Sequence, residues 1–131
     1  MKEMVAVAGL QTPPLFTPIV ADFYSGMEVT VPLFASQLKG TAADVHALYR
    51  DYYRDGLVFF ADEADESGFL SAAAMAGRDD MQLSVHGNDE RLLLTARFDN
   101  LGKGASGSAI QLMNILLGVA EDTGLICGGN V

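Results

Sequence analysis

The sequence predicts an α+β fold in which helices pack on one face of a mixed, largely antiparallel sheet. Residues 27–33 and 81–98 alternate apolar and polar side chains, as half-buried strands do, and the second stretch is broken by the turn sequence Gly87-Asn88-Asp89-Glu90. Residues 41–56 and 105–117 instead repeat apolar side chains at helical spacing. The resulting order of strand, helix, short strand, hairpin and helix is typical of α+β domains.

The first predicted strand presents four apolar side chains on one face, those of Met27, Val29, Val31 and Leu33. It also contains Pro32, which has no backbone N–H to donate to a neighbouring strand. We therefore expect this strand to lie at an edge of the sheet or to carry a bulge.

The two predicted helices differ in their apolar patterns. Thr41 is expected to cap the first helix, with Asp44 near the positive end of its dipole and Gly56 as its stop. Its buried stripe is predicted to consist of Val45, Leu48, Tyr49 and Tyr52. His46 falls beside this stripe and is expected to be partly exposed. The second helix is apolar around most of its circumference, so we expect it to be buried.

The segments around these elements are predicted to be less regular. Residues 57–60 form a short apolar strand, and 61–80 a loop with at most one helical turn, at 70–75. Residues 1–15 end in Pro13-Pro14, a pattern that favours a lead-in segment without regular helix.

We expect a single domain over residues 16–125, between this lead-in and a tail at 126–131. Cys127 lies in the tail, with no second cysteine and no histidine beside it, so we interpret it as an incidental thiol.

Composition excludes several classes of function. The 131-residue chain has a formal net charge of −9, whereas a nucleic-acid partner requires clustered Lys and Arg. No apolar run approaches the roughly 18 residues needed to span a membrane. The amino terminus lacks the pattern of a signal peptide, so we expect a cytoplasmic protein. No set of side chains has metal-ligand spacing, so no metal is expected.

The segment 99–107 concentrates the features that favour ligand binding. It places glycines, Lys103 and a run of backbone N–H groups at the start of the last helix, where the dipole favours an anion. Glycines there also let a ligand or another backbone approach closely. The alternative is a tight connection between strand and helix that simply requires glycine.

The same segment resembles a known family. Residues 99–118 fit the signature DNLxKGAxGxAxQxxNxxxG of the N-acetyl-γ-glutamyl-phosphate reductases. Further similar stretches are Phe16-Thr17-Pro18, Gly26-Met27, Lys39-Gly40-Thr41, the helix end at 49–53, and Glu121-Asp122-Thr123-Gly124-Leu125. The similarity covers roughly residues 16–125, which corresponds to the carboxy-terminal catalytic and dimerisation domain of that family.

The resemblance implies an NADPH-dependent reduction of N-acetyl-γ-glutamyl phosphate to the semialdehyde, a step of arginine biosynthesis. It also implies an amino-terminal Rossmann domain that binds NADPH and carries a nucleophilic cysteine, and a histidine base shortly before the Phe-Thr-Pro block. Neither that cysteine nor that histidine is present, so we expect no catalytic residue in this chain and no activity from it alone. The family also implies a homo-oligomer.

For the cofactor, analogy with related aldehyde-dehydrogenating enzymes assigns Asn100 to the nicotinamide carboxamide, since an amide is both donor and acceptor. Lys103 and the amides near Gly104 are assigned to an anionic group. Gln111 and Asn114 are assigned to packing against the nucleotide-binding domain. The alternative for Asn100 is that it only caps a turn.

The sequence also departs from the family pattern at two positions. Ile19 stands where many relatives have histidine, and Ser25 where many have a basic residue. The alternative reading of the whole chain is a free-standing α+β module, for dimerisation or small-ligand binding, that has lost the chemistry.

Overall fold

The computed structural model of the chain describes residues 2–128. Its helices and strands, in chain order, are α1 (Lys2–Ala8), β1 (Met27–Phe34), α2 (Ala42–Tyr52), β2 (Val58–Phe60), β3 (Met81–Asn88), β4 (Arg91–Phe98) and α3 (Gly107–Leu117). A short 3-10 helix, Ala35–Gln37, follows β1, and a π-helical turn, Gly102–Ser106, leads into α3.

The strands form one sheet in the order β1-β4-β3-β2. β1 pairs with β4 and β4 with β3 in antiparallel fashion, whereas β2 runs parallel to β3. The predicted α+β class and the mixed, largely antiparallel sheet are therefore confirmed. β1 occupies one edge of the sheet, as its Pro32 predicted.

The register gives the sheet one apolar face and one polar face. Directly paired residues share a face, so Val31, Leu94 and Val85 form an apolar row across three strands. The next row, on the opposite face, consists of Thr30, Thr95 and Ser84. The two faces must therefore be covered by different kinds of surface.

α2 lies on the apolar face. The ring of Phe60, which pairs with the apolar-face residue Leu83, contacts His46 with ring centroids 5.9 Å apart and Tyr49 with centroids 6.2 Å apart. Thr41 and Asp44 form the predicted cap, since the Asp44 N–H donates to Thr41 Oγ1 and the Thr41 N–H donates to Asp44 Oδ2.

The predicted buried stripe of α2 is wrong in two of its four positions. Leu48 is 62% exposed and Tyr52 is 76% exposed, whereas His46 and Tyr49 turn toward Phe60. The inward stripe is rotated from the predicted one because the rings of this helix pack against β2. Helical spacing alone does not determine that rotation.

The loop 61–80 covers part of the polar face through Arg97. This side chain, on β4, is 2% exposed and donates to Glu66 Oε1 at 2.9 Å and to the Ser71 carbonyl at 3.1 Å. It also donates to Gln82 Oε1, on β3. A buried arginine requires such partners, so the loop is fixed to the sheet by polar contacts. Where at most one helical turn was predicted, at 70–75, the structure has hydrogen-bonded turns at 72–77 and no helix.

α1 contradicts the prediction that residues 1–15 contain no regular helix. It ends at Ala8, and the next residue, Gly9, has a left-handed φ of 63° and lies four residues before Pro13. The prolines restrict their own residues and the one before them, and so leave Lys2–Ala8 free to form a helix. α1 contains no buried residue.

α3 contradicts the prediction that the last helix is buried. Within this chain its fully buried residues are Gly107 and Asn114, while Leu116 is 86% exposed. An apolar circumference predicts burial only if another surface is present to cover it.

No helix among residues 2–128 is long and apolar enough to cross a membrane.

Candidate functional site

The candidate site lies at the junction between β4 and α3. The junction is a wide helical turn in which the Gly104 N–H donates to the Asp99 carbonyl at 2.8 Å and the Ser106 N–H to the Leu101 carbonyl at 3.1 Å. Asp99 and Asn100 open this turn directly after the last residue of β4.

Asp99 ties the junction to a separate loop. Its side chain is 3% exposed and accepts hydrogen bonds from the N–H groups of Gly77, Leu101 and Gly102. Ser25 lies nearby and borders the same cleft. The expected run of free N–H groups at this helix start is therefore wrong for Leu101 and Gly102. Their donors are already satisfied by a carboxylate of the chain itself.

These hydrogen bonds also control the charge of Asp99. Burial on its own raises the pKa of this carboxyl group, but the donors from Gly77, Leu101, Gly102 and Ser25 outweigh it, and the pKa is lowered below its usual value. The carboxylate is consequently ionised at neutral pH.

Asn100 contacts the start of β1. Its Oδ1 accepts a hydrogen bond from the Gly26 N–H at 2.9 Å, a contact between residues that are 74 positions apart. Its Nδ2 makes no hydrogen bond within the part of the chain that the structure describes. The side chain therefore has a fixed acceptor and unpaired donors.

Lys103 and Gly104 both lie in the turn beside Asn100, but their polar groups already have partners. Lys103 Nζ donates to Gln111 Oε1 at 2.7 Å. Two of the three ammonium hydrogens remain for a ligand, because this bond uses one. The backbone N–H of Gly104 donates to the Asp99 carbonyl and is not free.

Asn114 and Gln111 serve the chain itself. Asn114 Nδ2 donates to the carbonyls of Glu121 and Thr123, at 3.0 and 2.9 Å, and so fixes the segment that follows α3. Gln111 Nε2 donates to Glu121 Oε2 at 2.9 Å. Packing of these two amides against a further domain remains a prediction.

Asp79 packs against the start of α3, a contact that the sequence did not predict. A Cβ atom on Gly107 would lie 2.4 Å from Asp79 Oδ1, and one on Gly102 would lie 3.0 Å from it. The Asp79 N–H donates to the Ile126 carbonyl, and Asp79 Oδ2 accepts from the Ile126 N–H. The sequence predicts only that the polar run 77–80 belongs to a loop. Gly102 and Gly107, two of the three glycines in 102–107, are the sequence signal for this contact.

A cleft of about 340 Å³ opens beside this junction. It is lined by Tyr24, Ser25, Gly77, Asp79, Leu101 and Ile126, among others. Ser25, one of the two departures from the family pattern, therefore borders the cleft. Asn100 lies next to it through its contact with Gly26.

The two histidines and the single cysteine do not line the cleft in the described residues. His46 packs on Phe60, and His86 Nε2 lies 2.9 Å from Ser84 Oγ. Cys127 is exposed in the tail, and partial desolvation of its sulfur together with the nearby Asp80 raises the pKa of the thiol. Such a thiol is a poor nucleophile at neutral pH. Residues 129–131 of the tail lie outside the described residues.

Comparison with known proteins gives consistent matches. A Nostoc protein named N-acetyl-gamma-glutamyl-phosphate reductase 2 is 42% identical over 135 residues, which cover 95% of this chain and 42% of the relative. A Brucella ovis protein named N-acetyl-gamma-glutamyl-phosphate reductase is 43% identical over 112 residues, covering 80% of this chain and 36% of the relative. The chain thus spans less than half the length of these relatives.

A family profile gives the same assignment at the level of the domain. The profile described as the dimerisation domain of semialdehyde dehydrogenase matches residues 1–100, which include the whole four-stranded sheet. The chain therefore belongs to the semialdehyde dehydrogenase family and carries its dimerisation domain.

Proposed function

We propose that the chain is the carboxy-terminal part of an N-acetyl-γ-glutamyl-phosphate reductase, which reduces N-acetyl-γ-glutamyl phosphate to the semialdehyde with NADPH in arginine biosynthesis. The observation that carries this proposal is the 42% identity to a protein of that name over 95% of the chain. The signature at 99–118 supports it, because its first residues form the β4–α3 junction. A cytoplasmic location is part of the same proposal.

In this proposal the chain lines part of the substrate and cofactor pocket, and the reacting groups belong to the remainder of the longer protein. Reduction of an acyl phosphate through a thiol requires a nucleophile with a low pKa, and Cys127 has a raised one. The partner of this chain is thus an amino-terminal Rossmann domain that binds the nucleotide. We expect the isolated chain to be inactive.

Activity assays test whether the reacting groups lie outside this chain. We expect no NADP(H)-dependent turnover of substrate or semialdehyde by the purified 131-residue chain, and turnover by the longer protein that contains it. Turnover by the isolated chain that survives Cys127→Ser would overturn the proposal that the reacting groups lie elsewhere. Loss of turnover in that variant would place the nucleophile in the tail.

We assign three residues to the cofactor: Asn100 to the carboxamide, and Lys103 and Gly104 to an anionic group. The site fits a neutral amide, because Asn100 Nδ2 has no partner within residues 2–128. It fits an anion through the two remaining ammonium hydrogens of Lys103. The Gly104 N–H is used within the turn, so its part in this assignment is to keep the turn beside Lys103 close to β4, where a Cβ would lie 3.3 Å from the Phe98 ring. When bound, the cofactor supplies the hydride.

Substitution of Asn100 in the longer protein tests the assignment. We expect Asn100→Ala to raise the NADPH dissociation constant or to slow hydride transfer by about tenfold, the effect of one lost hydrogen bond. The matched control is Asn88→Ala, in the hairpin turn at the other end of β4, which should change neither quantity. Unchanged NADPH binding and hydride transfer in Asn100→Ala would leave Asn100 as a turn residue.

A further inference from the structure

The Gly26–Asn100 hydrogen bond determines which end of the Asn100 side chain is available to a ligand. A backbone N–H donates, so the side-chain atom 2.9 Å from Gly26 N must be the amide oxygen. The orientation of the amide is thus set by chemistry and does not depend on assigning oxygen and nitrogen by shape. The amide nitrogen, with two hydrogens, is the end without a partner in the described part of the chain.

Gly26 is itself held firmly enough to act as an anchor. Its φ is 126°, which strongly favours glycine, and a Cβ atom there would lie 2.5 Å from the Ala72 carbonyl oxygen and 2.8 Å from Ala73 Cα. The turn at 72–77 therefore packs directly against its backbone. On the other side Gly26 adjoins Met27, the first residue of β1, and Ser25, which lines the same cleft as Asp99.

We infer that Gly26 is a positioning residue, which holds the Asn100 amide so that its two N–H donors face a ligand. The site therefore selects a ligand group that accepts hydrogen bonds. A carbonyl oxygen, such as that of a carboxamide, is such a group. The identity of the ligand as the nicotinamide cofactor rests on the proposed function. Because Gly26 occupies its oxygen, the Asn100 amide can serve the ligand only as a donor, and not as donor and acceptor together.

Substitution of Asn100 by aspartate tests the acceptor and donor roles of the side chain separately. Asn100→Asp keeps an oxygen for the Gly26 N–H but removes both donors, whereas Asn100→Ala removes both functions. If Asn100 only ties Gly26 to the junction, Asn100→Asp will bind NADPH as the unaltered protein does. If Asn100 presents donors, Asn100→Asp will weaken NADPH binding as Asn100→Ala does.

The added negative charge requires its own control. Asn88 Oδ1 accepts from the N–H groups of Glu90 and Arg91 in the hairpin turn, so Asn88→Asp likewise keeps its acceptor and adds one charge. It lies at the opposite end of the β3–β4 pair from Asn100. Any general effect of charge on NADPH binding will appear in this variant also.

The anchor is tested in the 131-residue chain by NMR, through the scalar coupling across the hydrogen bond between the Gly26 nitrogen and the Asn100 side-chain carbonyl carbon. We expect the coupling in the unaltered chain and a displaced Gly26 amide resonance in Asn100→Ala. Absence of the coupling, or an unchanged Gly26 resonance in that variant, would overturn the positioning role while leaving the cofactor proposal standing.

The donor role is tested in the longer protein by NADPH titration. We expect Asn100→Asp to raise the dissociation constant by at least about tenfold, with a thermal midpoint within about 2 °C of the unaltered protein, and Asn88→Asp to leave binding unchanged. Binding lost in Asn100→Ala but kept in Asn100→Asp would overturn the donor role alone. Unchanged binding in both variants would overturn the cofactor proposal and the donor inference with it.

Discussion

Asp99 connects residues that are distant in sequence and so determines the shape of the junction. One buried carboxylate accepts from Gly77 and from the turn at 101–102, which brings the loop around Gly77 to the carboxy-terminal end of β4. Asn100 then adds Gly26. The sequence predicted that 99–107 is the segment of interest, because its glycines and polar residues are local signals. It could not predict that Asp99 also accepts a hydrogen bond from Gly77, which lies 22 residues away.

The lowered pKa of Asp99 gives its contribution to stability a defined pH dependence. The folded state holds this carboxylate ionised below the pH at which the unfolded chain takes up a proton, near the ordinary value of 3.8. Its stabilisation is therefore complete above that pH and is lost as the pH falls through the lower folded value.

We expect Asp99→Asn to lower the free energy of unfolding by about 2 kcal/mol at pH 7, as for hydrogen bonds to a charged group. The deficit should shrink below about pH 4. Urea unfolding at several pH values measures this, with the exposed Asp22→Asn as control. A deficit of constant size from pH 7 to pH 3 would contradict the assignment.

Among the elements, α2 separates what local sequence determines from what packing determines. Its cap was predicted correctly, because Thr41 and Asp44 lie within one turn and satisfy each other. Its buried stripe was half wrong, because Leu48 and Tyr49 are neighbours and either stripe fits a helical period. The rings of β2 select Tyr49. Similarly, alternation predicted β3 and β4, but the pairing of β1 with β4 brings together residues more than fifty positions apart.

Substitutions on α2 distinguish the two stripes. We expect Tyr49→Ala to cost about 1.5 kcal/mol of unfolding free energy in the 131-residue chain, because the half-buried ring packs on Phe60. Leu48→Ala, with the side chain exposed, should cost less than about 0.5 kcal/mol. Denaturant unfolding of both variants provides the comparison, and a larger loss from Leu48→Ala would restore the stripe that the sequence predicted.

The start of α3 supplies a second prediction for an element. Alanine is favoured over glycine inside a helix by about 1 kcal/mol, yet we expect Gly107→Ala to destabilise the chain. A Cβ there would lie 2.4 Å from Asp79 Oδ1. Asp79→Ala removes Oδ1 and Cγ but leaves the Asp79 Cβ at 2.9 Å, so the double variant should recover part of the cost of the added methyl group. Additive losses in a double-mutant cycle of unfolding free energies would show that the close approach does not matter.

On the scale of the whole molecule, two apolar surfaces remain exposed. One lies on the apolar face of β1, where Val29 and Val31 are 45% and 47% exposed, and the other on α3, around Leu116. Exposed apolar surfaces of this kind mark interaction sites. The matched dimerisation domain ends at residue 100 and so contains β1 but not α3. We propose that β1 faces a second copy of the chain and that α3 faces the amino-terminal domain proposed above.

We expect the 131-residue chain to form a dimer at tens of micromolar, roughly the range in which such association occurs. Val31→Lys should shift it to monomer, because a charge on the apolar face of an edge strand opposes its coverage by another copy. Leu116→Lys adds the same charge to α3 and should leave the dimer intact. Sedimentation velocity of the three proteins measures this, with circular dichroism to verify that each is folded. A monomeric unaltered chain would contradict self-association, and dissociation by Leu116→Lys alone would place the dimer contact on α3.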